Sequence, residues 1–334
     1  MNARPAWRRV RLAALVLLSA HAAWAAAAGT ADTAISDAMV YRGMCDASAA
    51  VALGPAHFIV ADDEHNVLRV YRRDAAEPVG AVDVASFLGT AADQESDLEG
   101  AAELGGFVYW TGLHGRNRNG KARPDRRRLF AMEPVPGADP PTLRPVGVPY
   151  RNLLDDLLRA PSLASFGLAE ASKRAAEAPG GLNIEGLAAA PGGGLWVGLR
   201  NPIPHGRALI VPIANPREVV LGTARAAIGS PVELDLGGRG IRSLERVAGA
   251  YLIVAGPPAD DGDFALYRWS GAAGDAPQRI DVALGSLRPE GLYAIPGTRR
   301  VQLLSDDGGI EIGGTACKDL PAARRSFRGL VITP

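Results

Sequence analysis

Short apolar, β-branched and aromatic runs recur along this chain, bounded by clusters of Gly, Pro and Asp, a pattern of strands joined by tight turns. The stretch Asn183-Ile-Glu-Gly-Leu-Ala-Ala-Ala-Pro-Gly-Gly-Gly-Leu-Trp-Val-Gly-Leu-Arg200 reads as strand, glycine turn, strand. A near copy lies upstream, Asp97-Leu-Glu-Gly-Ala-Ala-Glu-Leu-Gly-Gly-Phe-Val-Tyr-Trp-Thr-Gly-Leu-His114. In both, a Trp follows the Glu by eleven residues, Glu99 to Trp110 and Glu185 to Trp196. Looser copies open at Asp46, Glu245 and Glu290. Several short strands repeating about every 40–50 residues predict an all-β fold, a β-propeller.

Five four-stranded units are legible. The first is expected over 47–53, 58–62, 67–72 and 79–84, and the last over 291–295, 300–304, 309–312 and 327–332. A six-bladed alternative remains, its extra unit assembled from the segment before Tyr41. The propeller domain is expected over 41–334, after a linker at 26–40. One segment breaks the period. Leu153, Leu154, Leu157 and Leu158 have helical spacing, which predicts a helical insertion at about 152–178 between units two and three. A second insertion, 115–127, is strongly basic.

Composition agrees with this reading. At 334 residues and 47% hydrophobic content the chain buries a sizeable core, and its 40 Gly and 25 Pro fit many turns. The N-terminus departs from the rest. Arg4, Arg8, Arg9 and Arg11 precede an apolar run that ends near Ala23-Trp24-Ala25, the form of a cleaved secretory signal peptide over 1–25. The run falls short of the about 20 residues of a membrane span. A periplasmic or secreted protein, free of the membrane after cleavage, is therefore expected. Cleavage takes the formal charge from +0 to −4, which argues against nucleic acid as a partner. A monomer is expected. Cys45 and Cys317, in the first and last units, are neighbours if the ring closes. A disulfide that staples it is expected, with two separate thiols as the alternative.

Strand order brings candidate chemistry together. In an antiparallel blade the start of the innermost strand and the turn between strands two and three lie at one end. Asp46, Glu99, Glu185, Glu245 and Glu290 are thus expected around one mouth of the central channel, flanked by Asp97, Asn183, Arg242 and Arg288. The surrounding turns carry Asp62, Asp63, His65, His114, Arg116, Arg200, His205, Asp260, Asp261, Asp306 and Asp307. Crowded carboxylates repel, so they hold a cation, pair with arginines or keep protons. Oxygen-rich clusters suit a divalent cation, with Ca²⁺ the first expectation. The alternative is structural, with each acid capping backbone N–H groups. No Gly-x-Ser-x-Gly elbow, His-Glu-x-x-His or phosphate-binding Gly-x-x-x-x-Gly-Lys-(Ser/Thr) motif is present.

The Asp/Asn-x-Glu-Gly-(Leu/Ala)-Ala openings, Gly-Leu-Trp-Val-Gly-Leu-Arg-Asn-Pro and the late Arg-Pro-Glu-Gly-Leu resemble the bacterial family of domain of unknown function 3616, from about Tyr41 to the C-terminus. The Glu-Gly-Leu-Ala element is also similar to the esterase-like domain related to phytases. It is more distantly similar to gluconolactonase-type propellers, a resemblance that implies Glu99 or Glu185 as a metal ligand. Two functions follow as expectations. One is an exported propeller that binds a divalent cation, a small anionic ligand (through Arg200, Arg242, Arg288 and Asn183) or a protein partner at the acidic mouth. The other is a metal-assisted hydrolase of phosphoesters or other esters, with His114, His205 and Arg200 as catalytic candidates.

Overall fold

The computed structural model describes Met1 and residues 38–334, apart from 63, 92, 93, 260 and 261. The expected signal peptide, most of the linker, and Asp63, Asp260 and Asp261 lie outside the described residues. Among the described residues, twenty strands form five four-stranded antiparallel sheets. The chain opens with β1 (Met39–Arg42). Blade one is β2 (Ala47–Leu53), β3 (His57–Asp62), β4 (His65–Arg72) and β5 (Pro78–Asp83). Blade two is β6 (Leu98–Leu104), β7 (Phe107–Gly112), β8 (Leu129–Pro134) and β9 (Leu143–Tyr150). Blade three is β10 (Asn183–Ala189), β11 (Leu195–Asn201), β12 (Ala208–Ile213) and β13 (Val232–Leu234). Blade four is β14 (Gly240–Val247), β15 (Ala250–Gly256), β16 (Ala265–Trp269) and β17 (Gln278–Ile280). Blade five takes β18 (Pro289–Ala294), β19 (Val301–Ser305) and β20 (Ser326–Ile332), and β1 pairs with β20 as its outermost strand.

The inner strands β2, β6, β10, β14 and β18 each pack on the next, and β18 packs on β2, so the ring closes with five blades. This removes the six-bladed alternative. The segment before Tyr41 supplies the edge of blade five, and β1 starts two residues inside the expected linker. The expected strand at 309–312 is absent. That stretch belongs to a long β19–β20 connection in which Ile312 is exposed, so its apolar spacing faces water and has no strand to pair.

Burial grades outward in each blade. Every residue of β7 and β11 is buried, as expected of strands covered on both faces, whereas β5 alternates between half-buried and exposed. Five apolar clusters fill the five seams between blades. The seam that closes the ring is aromatic, with Tyr41, Phe58, Tyr71, Tyr293 and Phe327 packed at centroid distances of 5.1–5.5 Å. Such pairs contribute about 0.5–1.5 kcal/mol each beyond area burial. Cys45, just ahead of β2, is bonded to Cys317 in the β19–β20 connection, with Cα atoms 5.9 Å apart. An inner-strand start and a second-to-third-strand connection share one end of the ring, which is why the two thiols meet.

The insertion is helical. It holds helices Leu153–Arg159 and Leu168–Ala171 with a 3-10 turn at Pro161–Phe166 between them. Leu153, Leu154, Leu157, Leu163 and Leu168 join the core of the blade two–blade three seam. Leu158 points to solvent.

Candidate functional site

Each inner strand carries a β-bulge near its start, where one residue is skipped in the pairing with the second strand. The skipped residues are Ser48, Glu99, Glu185, Arg242 and Glu290. A bulge bends the strand and re-aims the side chain it carries. A small residue follows each one: Ala49, Gly100, Gly186, Ser243 and Gly291. The space requires it. A Cβ on Gly100 would stand 2.9 Å from Thr111 Cγ2 and 3.0 Å from Leu187 Cβ, and one on Gly186 would stand 2.7 Å from Ile241 Cγ2.

The expected carboxylate ring is thus partly regrouped. Glu99, Glu185 and Glu290 occupy equivalent bulge positions and are buried. Asp46 does not. It lies two residues before the bulge of blade one, the position of Asp97, Asn183, Gly240 and Arg288 in the other blades. At Gly240 a Cβ would fall 1.8 Å from the Arg200 carbonyl oxygen, so no side chain fits there. Glu245 lies three residues past its bulge, about 10 Å along the strand. It belongs to the other end of the channel with Glu103, where burial pushes its carboxyl up to about 8. Blade four therefore places a cation, Arg242, where blades two, three and five place acids.

Ion pairs tie most of these acids. Glu185 Oε1 accepts from Arg200 Nη1 at 2.9 Å, Asn183 Nδ2 at 2.9 Å and Arg242 Nη1 at 3.3 Å. Arg242 Nη2 also donates to Glu290 Oε1. Arg200 sits on an extra residue of β11, opposite the bulge. Its other nitrogens donate to the carbonyls of Pro257 and Ala259, at 3.2 and 2.9 Å. Asp97 Oδ2 lies 2.7 Å from Arg126 Nη1, and Arg126 also pairs with Glu95. The basic insertion is thus folded onto the mouth through Arg126, while Arg116 donates to the carbonyls of Ser172 and Gly120.

Glu99 differs. Among the described residues it has no ion-pair partner, and its neighbours across the seam and along its strand are acidic. Burial, then Glu185, Asp97 and Glu290, push its carboxyl well above the usual carboxylate range. It hydrogen-bonds Asp97, whose own carboxyl burial raises to about 7 against the pull of Arg126. Three acceptor oxygens at this seam are buried without a donor: Glu99 Oε2, Glu185 Oε2 and Asn183 Oδ1. The site can accept hydrogen bonds or a positive charge between blades two and three.

Asp46 forms a second acidic spot at the blade five–blade one seam. It is bridged to Asp306, and burial, then Asp306 and Asp62, raise its carboxyl to about 9. Arg288 is half-buried two residues ahead of Glu290. The two histidine candidates are not alike. His114 is buried, its Nε2 donates to the Arg128 carbonyl at 3.2 Å, and burial pushes it down to about 3, so it is neutral at all ordinary pH. His205 is largely exposed and stands 3.5 Å from Glu233, which keeps it off the carboxylate seam. Among the described residues no group of three Asp, Glu, His or Cys side chains is arranged to hold a metal ion.

The family described as "Protein of unknown function (DUF3616)" matches residues 46–133 and 150–299, which take in all three bulge carboxylates and both Arg200 and Arg242. The chain belongs to this family. No curated protein matches the DUF3616 chain in sequence. Among solved structures it is similar to a PQQ-bound aldose sugar dehydrogenase from Streptomyces coelicolor, at 13% identity over 90% of this chain and 100% of that one, with a TM-score of 0.43. It is also similar to a putative oxidoreductase (glucose dehydrogenase) from Thermus thermophilus, at 15% identity over 88% and 99% of the two chains, with a TM-score of 0.45. Scores of this size do not establish a shared fold, and nothing of those enzymes' chemistry carries over to the DUF3616 chain.

Proposed function

We propose that this DUF3616 chain is an exported binding propeller whose channel mouth takes a divalent cation, Ca²⁺ first, between Glu99 and Glu185. One observation carries the reading: facing carboxylates on adjacent blades each keep one buried oxygen with no donor, beside the equally unpartnered Asn183 Oδ1. Unpaired buried acceptors cost about 1–3 kcal/mol each, more when charged, and a cation relieves all three together. These oxygens supply three of the six to eight that Ca²⁺ takes, leaving backbone and water oxygens to complete the shell. Asp97 is the nearest further carboxylate, and Arg200 and Arg242 would then hold an anionic ligand on the same face. The Cys45–Cys317 bond fits an oxidising compartment.

The test is thermal melting of the mature protein with EDTA and with millimolar Ca²⁺, with calorimetric titration beside it. Ca²⁺ is expected to raise Tm by a few degrees, since a ligand at 100 times its Kd adds about 2.7 kcal/mol to the folded state. Glu99→Gln should abolish the shift while the variant itself melts no earlier, because the amide keeps the shape and can still donate to Asp97 but cannot become a charged ligand. A Tm unmoved by either treatment, with no heat of binding, overturns the reading.

A further inference from the structure

The seam where blade five meets blade one holds a cavity of about 310 Å³ at the end of the strands opposite the carboxylate mouth. Two arginines line it, Arg73 from the β4–β5 turn and Arg300 from the β18–β19 turn. Arg73 Nε is buried and has no hydrogen-bond partner. The carboxylate beside it, Asp74, is already held by Arg72 through two hydrogen bonds, of 3.0 and 2.7 Å. Among the described residues neither Arg73 nor Arg300 is in an ion pair. Two guanidinium groups thus face one cavity with no anion committed to them.

Asp74 also lines the cavity, and the rest of the lining is of two kinds. Gln302 and Tyr41 are buried polar groups at its floor. Tyr293 Oη donates to Gln302 Oε1 at 2.5 Å, Gln302 Nε2 to Tyr41 Oη at 2.7 Å, and Tyr41 Oη to the Arg73 carbonyl at 2.9 Å. That chain uses one of the two hydrogens on Gln302 Nε2. Gly329 packs closely against this amide, since a Cβ there would lie 2.9 Å from Nε2. The wall facing these groups is apolar, formed by Met39, Ile295 and Val331.

We infer that this cavity is a second binding site, separate from the mouth, that takes a small organic carboxylate with a short apolar body. The carboxylate is held by the Arg73 and Arg300 guanidinium groups that line the cavity, and the hydrocarbon lies on Ile295 and Val331. A volume near 300 Å³ is at the lower end for small-molecule sites, which limits the ligand to a short chain. The reading is independent of the cation site, because no residue is shared.

Hexanoate, 1-hexanol and hexylammonium, titrated into the mature full chain by calorimetry, separate the contributions of charge and hydrocarbon. Hexanoate is expected to bind with a Kd below about 10 mM, and the neutral and cationic analogues at least about tenfold more weakly. Arg73→Gln should weaken hexanoate at least about tenfold, and Val331→Trp should block it by filling the cavity with both arginines intact. Glu99→Gln, at the other end of the channel, should leave hexanoate binding unchanged. Circular dichroism and a melt show that each variant is folded. Equal binding of hexanoate and hexanol, undiminished binding to folded Arg73→Gln, or no hexanoate binding up to about 10 mM overturns the inference.

Discussion

Arg242 occupies in blade four the bulge position that Glu185 occupies in blade three, and its Nη1 lies 3.3 Å from Glu185 Oε1. The same guanidinium reaches Glu290 in blade five. One side chain therefore links three consecutive blades at their inner edges. On the other side of Glu185 the next bulge residue is Glu99, so the chain of alternating charge breaks at the blade two–blade three seam.

Removing the link should be costly. All three side chains are buried, and deleting one partner of a buried ion pair typically costs about 3–5 kcal/mol because the other charges stay behind. Arg242→Met should lose stability of that size in urea denaturation at neutral pH. Adding Glu290→Gln should return part of it. A loss below about 1 kcal/mol for the single variant would show that the pairs have little net effect.

Asp46 makes stability depend on pH. Its carboxyl titrates near 9 in the folded chain against an ordinary value of 3.8. Between those values the folded chain holds a proton that the unfolded chain has released, so stability falls as pH rises. The contribution is fully present at about pH 4 and is lost by about pH 9; Glu245, raised to about 8, acts in the same direction. Tm should drop by several degrees between pH 5 and pH 9, and Asp46→Asn should flatten the drop. An unchanged slope in Asp46→Asn would remove Asp46 as its source.

The disulfide spans 272 residues of sequence. Cys45→Ser or Cys317→Ser should cost about 2–5 kcal/mol. Intact-mass measurement with an alkylating agent should show no modified thiol until reductant is added. Two alkylatable thiols in the unreduced protein would mean that the bond does not form.

The blades were readable because strand period and glycine turns are local signals, and both survive in each copy. The site was half readable for a physical reason. Matching the copies on acidic residues finds Glu99, Glu185 and Glu290, but in blades one and four it slides to Asp46 and Glu245. The constant feature is geometric: an apolar residue, the bulged residue, then a small one, as in Ala47-Ser48-Ala49 and Ile241-Arg242-Ser243. Aligning on the small residue would have put Ser48 and Arg242 in the ring. Arg126 had no such signal. It meets Asp97 and Glu95 across about thirty residues of loop and strand, a contact that only the folded turn creates. Strand β1 was equally hidden, since only Tyr41 is buried of its four residues and no alternation announces it.

Blade five is assembled from both ends of the described domain, with β1 pairing against β20. A chain delivered from its N-terminus therefore carries β1 unpartnered until β20 has emerged, and through that interval β1 and the open seam beside β2 have no cover. Closure is the contact of greatest sequence separation, and hence the slowest to find. Until it forms, exposed strand edges invite pairing with another copy of the chain. The hazard of misassembly is thus concentrated in one late event, at the one blade that neither half of the chain can build alone.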